Sequence, residues 1–170
     1  MKIAVFYRSA TGNTGLLARE IERALPGHQV IGCQAGEYPQ AELYLVGSWT
    51  DKGTCCPEAA EFLRGLEHKN IAWFGTAGFG GSQEYYNQIF GRVKELIPEG
   101  NRVLGSFYCQ GKMPETVGSR YAAMLAEHPE DERLQASLEN FDKARSHPDE
   151  QDLENFRSWV RQMAEKVEEC

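Results

Sequence analysis

Five apolar runs of strand length, most of them separated by stretches with helical periodicity, constrain the fold of this chain most strongly. They are Lys2–Tyr7, Gln29–Cys33, Leu43–Gly47, Ile71–Gly75 and Arg102–Cys109. The runs are nearly continuous in apolar character and lack the alternation of a half-exposed sheet, so we expect both faces of the sheet to be covered. Strands that alternate with helices predict βαβ units and a parallel sheet.

The segments between these runs place apolar residues on one helical face. By this criterion the predicted helices are Thr14–Leu25, Pro57–Leu66 and Gln83–Ile97. The link over residues 34–41 is too short for a long helix. The sequence therefore predicts helices on both faces of the sheet.

The part of the chain after the fifth run departs from this alternation. A turn-rich loop is predicted over Gln110–Gly118 and is followed by three helical stretches, the last of which carries an apolar stripe from Leu153 to Val167. We predict one α/β domain over residues 1–170, with residues 110–148 as an insertion-like loop and helices before the C-terminal helix.

Charge and hydropathy exclude several classes of function. The formal net charge is −7, which argues against nucleic acid as the main partner. The acidic excess lies wholly within residues 127–170, because acidic and basic residues balance over residues 1–126. No apolar run approaches the roughly 20 residues that span a bilayer, and the N-terminus reads as a strand. We therefore expect a cytoplasmic protein without a membrane partner.

Cysteine and histidine positions give no metal or catalytic pattern. The five cysteines, at positions 33, 55, 56, 109 and 170, have no zinc spacing and are expected to be reduced thiols. Cys33 and Cys109 are predicted to be buried. A redox role for Cys55 and Cys56 is a minor alternative, because adjacent cysteines rarely bridge without strain. We predict no metal site and no catalytic side chains.

The segment Ser9–Thr14 follows the first predicted strand directly and opens the first predicted helix. Its hydroxyls, glycine and asparagine at a helix N-terminus form an anion cradle. It has neither the lysine of a Walker loop nor the spacing of a dinucleotide-binding loop. A phosphate monoester without a metal suits it, and the alternative is an ordinary capped helix start.

With this loop the sequence resembles the flavodoxin family, whose phosphate loop for flavin mononucleotide (FMN) has the pattern S-x-T-G-N-T after an N-terminal strand. The matching residues are Ser9, Thr11, Gly12, Asn13 and Thr14. Ala10 replaces a residue that is usually threonine. The resemblance covers most of the chain except Gln110–His147. It implies a doubly wound five-stranded parallel sheet of order 2-1-3-4-5 and one FMN per chain.

The segment Gly47–Gly53, which follows the third predicted strand, is the second loop of interest. The resemblance implies that Trp49 stacks on the isoalloxazine ring, and the alternative is that Trp49 belongs to the core. The family commonly has glycine at the next position, where its peptide flips on reduction. Thr50 stands there and resists a positive φ. This departure implies one-electron potentials that lie closer together than in a conventional flavodoxin.

The segment Thr76–Ser82, after the fourth predicted strand, is the third loop. Its glycines and hydroxyls let backbone N–H groups approach the O2 and N3 edge of the flavin. The family's aspartate is missing, and Gln83 stands where a stacking tyrosine falls, so Phe79 is a candidate second wall. Tyr85 and Tyr86 fit helix packing better than flavin contact.

The predicted cofactor contacts come from these three loops and the helix that follows the third. They are Ser9, Ala10, Thr11, Gly12, Asn13, Thr14, Ser48, Trp49, Thr50, Asp51, Thr76, Ala77, Gly78, Phe79, Gly80, Gly81 and Tyr85.

The resemblance implies a flavoprotein that passes electrons between a reductase and an acceptor enzyme, as a monomer or weak dimer. The alternative is an FMN-dependent oxidoreductase that acts on a quinone, a tetrapyrrole or another conjugated small molecule. Residues 1–126 are neutral in sum, and four cations are predicted near the cofactor edge: Arg8, Lys52, Lys112 and Arg120. Both features indicate a specialised member, because carrier flavodoxins are acidic there. The added region also resembles flavodoxin-like proteins encoded beside anaerobic reductases, including a bilirubin-reducing system.

Overall fold

A computed structural model describes residues 1–169. The strands are β1 (Lys2–Tyr7), β2 (Gln29–Gly32), β3 (Leu43–Asp51), β4 (Thr54–Cys55), β5 (Asn70–Ala77) and β6 (Arg102–Gln110). The helices are α1 (Asn13–Ala24), α2 (Pro57–Arg64), α3 (Gln83–Lys94), α4 (Glu115–Glu127), α5 (Glu132–Ala144) and α6 (Glu150–Glu168).

Five parallel strands form the sheet in the order β2-β1-β3-β5-β6, and the short β4 pairs antiparallel with β3. With β4 set aside, this is the predicted order 2-1-3-4-5. The strand order reverses between β1 and β3, where Tyr7 lies opposite Gly47 near the carboxyl ends of both strands. Parallel α/β sheets bind ligands at such a switch point, so the topology places a crevice there.

Both faces of the sheet are buried, as the apolar strands predict. On one face Phe6, Tyr44 and Trp73 pack against α2 and α3, and the ring of Phe6 stacks on Phe62 with 3.9 Å between centroids. On the other face a second cluster of buried side chains lies beneath α1 and α6. The described helices include none that is long and apolar enough to cross a bilayer.

The segment predicted as a loop after the third strand is a β-hairpin instead. Strand β3 continues to Asp51, and the chain turns through Lys52 and Gly53, whose φ angles are 49° and 79°. Two consecutive residues at positive φ are typical of a type I′ turn, which suits the right-handed twist of a two-residue hairpin. The Lys-Gly pair was the sequence signal for this turn. The strand was not predicted to continue because the residues around the pair are polar. Thr50 consequently pairs with Cys55 in a ladder.

The predicted loop over Gln110–Gly118 is also shorter than expected. Strand β6 includes Gln110 and α4 begins at Glu115, so only residues 111–114 lie between them. Helices α4 and α5 then pack together as a hairpin. At Gly118 a Cβ atom would lie 2.3 Å from the Phe141 ring, so this contact requires glycine. We call residues 115–144 the helical insertion.

Helix α6 returns the chain to the sheet and is anchored at its start. Asp149 and Asp152 form a capping box at its N-terminus. One turn later, the Arg157 guanidinium binds the carboxylate of Glu20, which is buried on α1. This ion pair and the apolar stripe of α6 hold α1 in place, and α1 carries the phosphate loop at its start.

Candidate functional site

No side chain within the described residues caps the N-terminus of α1. Gly12 occupies the cap position with a φ of 89°, a conformation that favours glycine. Among residues 1–169 the backbone N–H groups of Gly12, Asn13 and Thr14 donate no hydrogen bond. Ser9 Oγ accepts only the next donor, the Gly15 N–H, at 3.2 Å. The free N–H groups and the helix dipole leave a site for an anion.

The Asn13 side chain organises this loop from beneath. It is buried, and its Nδ2 donates to Thr11 Oγ1 at 2.9 Å and to the Lys112 carbonyl at 2.8 Å. Because Thr11 Oγ1 accepts this bond, its hydroxyl proton is free to be donated elsewhere. Asn13 Oδ1 is buried without a partner among the described residues, which is rare in native proteins. The loop therefore presents one free donor, the Thr11 hydroxyl, and contains one buried acceptor without a partner among the described residues.

Thr14 has a different place from the one its motif position implies. Its side chain is fully buried, and its hydroxyl lies 3.0 Å from that of Thr76 on β5. The pair joins the phosphate loop to the carboxyl end of the sheet. We therefore assign Thr14 to holding the loop, while its backbone N–H remains available to a ligand.

A cleft of about 140 Å³ lies above this pair at the carboxyl edge of the sheet. It brings together parts of all three predicted loops and the loop after β6. The lining residues are Ala10, Thr11, Asn13, Trp49, Thr50, Thr76, Ala77, Gly78, Gly111, Lys112, Met113 and Pro114.

Trp49 lies at the border between the cleft and the core. It is half-buried, pairs with Thr76 across β3 and β5, and packs against the apolar cluster beneath α2 and α3. The indole thus has one part fixed by the core and another facing the cleft. Stacking of Trp49 on the flavin stays a prediction that this placement supports.

Thr50 is held more firmly than a loop residue. Its hydroxyl donates to the Thr76 carbonyl at 2.9 Å, and its backbone belongs to the β3–β4 ladder opposite Cys55. Rotation of either adjoining peptide would break the ladder. The hairpin therefore opposes a backbone flip in addition to the resistance of the threonine side chain itself.

Several predicted contacts lie outside the cleft. Ser48 is buried and holds the hairpin together, donating to the Trp49 carbonyl and accepting the Cys56 N–H. Asp51 lies at the hairpin end. Tyr85 packs against Tyr86 and the core, and burial raises the pKa of its phenol. These placements favour structural roles, as the sequence had indicated for Tyr85.

The outer part of the third loop stands at the rim. Phe79 is 45% exposed and makes no ring contact with other described residues, and Gly80 and Gly81 continue the loop to the Ser82 cap of α3. Phe79 does not line the cleft. Its role as a second wall for the flavin stays a prediction.

Ser9 and Gly12 border a second and larger groove on the opposite side of the phosphate loop. This groove measures about 500 Å³ and lies over the ends of β1 and β2. Arg8 and Arg19 line it, and no described carboxylate pairs with either guanidinium. The structure thus offers two neighbouring places for an anion. The groove offers the guanidinium groups of Arg8 and Arg19, whereas the phosphate loop offers backbone N–H groups at the start of α1.

The loop after β6 was predicted to reach this edge, but its contact with the phosphate loop was not. A Cβ atom on Gly111 would lie 2.5 Å from Asn13 Nδ2, so the backbone passes directly over the asparagine. Lys112 N–H donates to the His147 carbonyl at 2.9 Å, which ties the loop to the start of α6. Only the predicted strand order could have indicated this contact, because loops that follow parallel strands lie at the same edge of the sheet.

The four described cysteines are free and buried, as expected for Cys33 and Cys109. Burial raises the pKa of the Cys55 thiol to about 11, so it stays protonated and unreactive at neutral pH. The redox alternative for Cys55 and Cys56 has no support in this geometry. Cys170 lies outside the described residues.

His147, Asp149 and Asp152 come together at the start of α6, with ligand atoms within 4.8 Å of one another. Both carboxylates belong to the capping box, and His147 Nδ1 lies 2.6 Å from Asp152 Oδ2. This cluster is explained by helix capping.

Comparison with known proteins agrees with this fold. Residues 4–161 match the family described as the flavodoxin domain. The chain is 33% identical over 173 residues to the flavodoxin-like domain-containing protein BilS of Clostridioides difficile strain CD3, covering 98% of each chain. It is 34% identical over 179 residues to BilS of Clostridium symbiosum strain WAL-14163, covering 94% of each. Oxidised flavodoxin 2 from Bacillus cereus superposes with a TM-score of 0.58 at 18% identity, with 98% of this chain and 99% of that chain covered.

The chain belongs to the flavodoxin domain family, and its cofactor is FMN. The residues present fit this group. The uncapped N–H groups after Gly12 suit a phosphate dianion, which accepts hydrogen bonds. When bound, FMN supplies redox chemistry, and the groups of this chain that would hold it are the phosphate loop, the indole of Trp49 and the backbone of the third loop.

We expect Thr11→Ala to affect FMN binding and Thr14→Ala to affect the stability of the apoprotein. Loss of the free Thr11 hydroxyl should weaken FMN binding by about 1–2 kcal/mol without destabilising the apoprotein. Thr14→Ala strands the buried Thr76 hydroxyl and should instead lower the free energy of unfolding of the apoprotein by about 1–3 kcal/mol. Fluorescence titration of FMN and chemical denaturation separate the two effects. Equal effects of both variants on FMN affinity would contradict the assignment.

Thr50 gives a second prediction. Thr50→Gly frees the backbone to reach positive φ and should widen the gap between the two one-electron potentials of bound FMN by about 59 mV, a tenfold change in equilibrium constant. Thr50→Ala is the matched control, because it removes the same hydroxyl bond to the Thr76 carbonyl but retains a Cβ atom. A redox titration of each protein measures the gap. If alanine widens it as much as glycine, the backbone explanation is wrong.

Proposed function

We propose that this protein is an FMN-dependent electron carrier of the cytoplasm that passes electrons between a reductase and an acceptor enzyme. The observation that supports this most is the chemistry of the cleft. Its lining includes threonine, asparagine, tryptophan, methionine and small residues, and Lys112 is the one ionisable side chain among the described residues that line it. A substrate that needs protons at neutral pH would find no histidine, carboxyl or reactive thiol there.

The ionisable groups near the site are occupied elsewhere. Tyr108 accepts a hydrogen bond from Trp73 Nε1 at 2.8 Å, and burial raises the pKa of its phenol. The imidazole of His147 pairs with Asp152 at the start of α6. These groups stabilise the fold around the cleft, and none lines it. Electron transfer alone requires only that the flavin edge be approached.

The surface around the cleft supports docking of another protein. Phe79 is 45% exposed in the loop that follows Gly78, which lines the cleft. Lys52 and Lys112 are exposed near the same edge. An exposed aromatic ring and exposed cations suit a partner whose docking face is acidic around an apolar centre.

A second candidate is an FMN-dependent oxidoreductase that acts on a conjugated small molecule such as a quinone or a tetrapyrrole. Lys112 favours it, because a cation that lines the cleft would attract an anionic substrate. The two BilS relatives are named only as flavodoxin-like domain-containing proteins, which leaves both candidates open.

Steady-state oxidation of NADPH and NADH by the purified FMN-loaded protein separates the two candidates. We expect no turnover by the protein alone or with a quinone, and turnover when a flavodoxin reductase and cytochrome c are added. Lys112→Glu should slow the reductase-dependent rate and reduce its dependence on salt, because electrostatic steering is lost. Lys94→Glu on α3 is the charge-matched control. Turnover of NAD(P)H with a quinone and no reductase would contradict the carrier and establish the oxidoreductase.

A further inference from the structure

The carbonyl group of Gly78, at the rim of the cleft, accepts hydrogen bonds from two side-chain amides. Gln110 Nε2, at the end of β6, donates to it at 3.0 Å, and Asn140 Nδ2, on α5, donates at 3.1 Å. Gln110 Nε2 also donates to Asn140 Oδ1 at 3.0 Å, which closes a network of three groups. The helical insertion therefore reaches the third loop through one asparagine.

Chemistry fixes the orientation of the Asn140 amide. The opposite orientation would set Oδ1 against the Gly78 carbonyl oxygen and Nδ2 against the Gln110 amide nitrogen. Two acceptors and two donors would then face each other. Asn140 consequently donates to Gly78 and accepts from Gln110, and an aspartate of the same shape could do only the second.

This network fixes the peptide between Gly78 and Phe79. In a trans peptide the carbonyl and the following N–H point in opposite directions. The carbonyl of Gly78 points toward Gln110 and Asn140, so the N–H of Phe79 points away from them. Within residues 1–169 neither the Phe79 N–H nor the Gly80 N–H has an acceptor. The two backbone donors that follow Gly78, which lines the cleft, are therefore without a partner among the described residues.

We propose that Asn140 is a positioning residue for FMN, which holds the Gly78–Phe79 peptide with its N–H available to the flavin and thereby favours the reduced cofactor over the oxidised one. Asn140 does not line the cleft and acts through Gly78. The helical insertion then sets the ratio of the affinities for reduced and oxidised FMN.

The preference for reduced FMN follows from charge. Reduction adds negative charge to the flavin ring, so a fixed N–H donor stabilises the reduced form more than the oxidised form. Without Asn140 the peptide is held only by Gln110 and can rotate. The donor is then no longer preorganised, and the cost appears mainly in the affinity for reduced FMN.

The test measures the dissociation constants of oxidised and reduced FMN in Asn140→Ala and Asn140→Asp. Redox titration of bound and free FMN, with the affinity of the oxidised form, gives both constants through a thermodynamic cycle. We expect Asn140→Ala to weaken the reduced complex about tenfold and the oxidised complex about threefold or less. Asn140→Asp should shift the ratio at least as far, because its carboxylate repels the Gly78 carbonyl.

Phe141→Leu is the matched control for a merely structural effect. It loosens the packing on Gly118 in the same insertion but leaves the Asn140 amide in place. We expect it to lower the unfolding temperature while the ratio of the two constants stays at the wild-type value. Thermal unfolding of each apoprotein checks folding, and the isosteric Asn140→Asp decides the case if Asn140→Ala does not fold.

An unchanged ratio in both Asn140 variants, or an equal change in Phe141→Leu, would overturn the assignment. The measurement concerns only cofactor affinities, so its outcome is independent of whether the protein is a carrier or an oxidoreductase.

Discussion

The two hydrogen bonds donated by the Asn13 amide connect the parts of this site that lie far apart in the sequence. One bond orients the Thr11 hydroxyl within the phosphate loop, and the other holds the Lys112 carbonyl, 99 residues away. Gly111 makes this approach possible, because any side chain there would collide with the asparagine. The loop after β6, which leads into the helical insertion, is thus fastened to the phosphate loop. A change at position 13 would therefore affect phosphate binding and the rim of the cleft together.

Much of the fold could be predicted from the sequence because the apolar runs are strong local signals. Strand β1 was predicted with its observed bounds, and the parallel order follows once strands and helices alternate. The hairpin at Lys52 and Gly53 was missed because the polar residues around it lack the apolar character that marks a strand. The early start of α4 was missed because the run from Gly111 to Pro114 carries turn signals.

The sequence predicts which residues make up the candidate site, but not which of them face a ligand and which support the fold. A motif shows that Thr11 and Thr14 both carry hydroxyls, yet only the three-dimensional structure shows that Thr14 is buried against Thr76. The role inferred for Asn140 has no local signal, since it depends on a contact between α5 and a carbonyl 62 residues away. Long-range contacts of this kind depend on topology, and a single sequence gives no information about which of them form.

The most direct test of this account is a crystal structure of the FMN-loaded protein. We predict that the phosphate lies at the backbone N–H groups of Gly12, Asn13 and Thr14. The flavin ring should lie against Trp49, with its pyrimidine edge beside the N–H of Phe79. Two cavities border the phosphate loop, and the larger one offers the guanidinium groups of Arg8 and Arg19. A phosphate bound between those two arginines, with the ring over the end of β2, would contradict it.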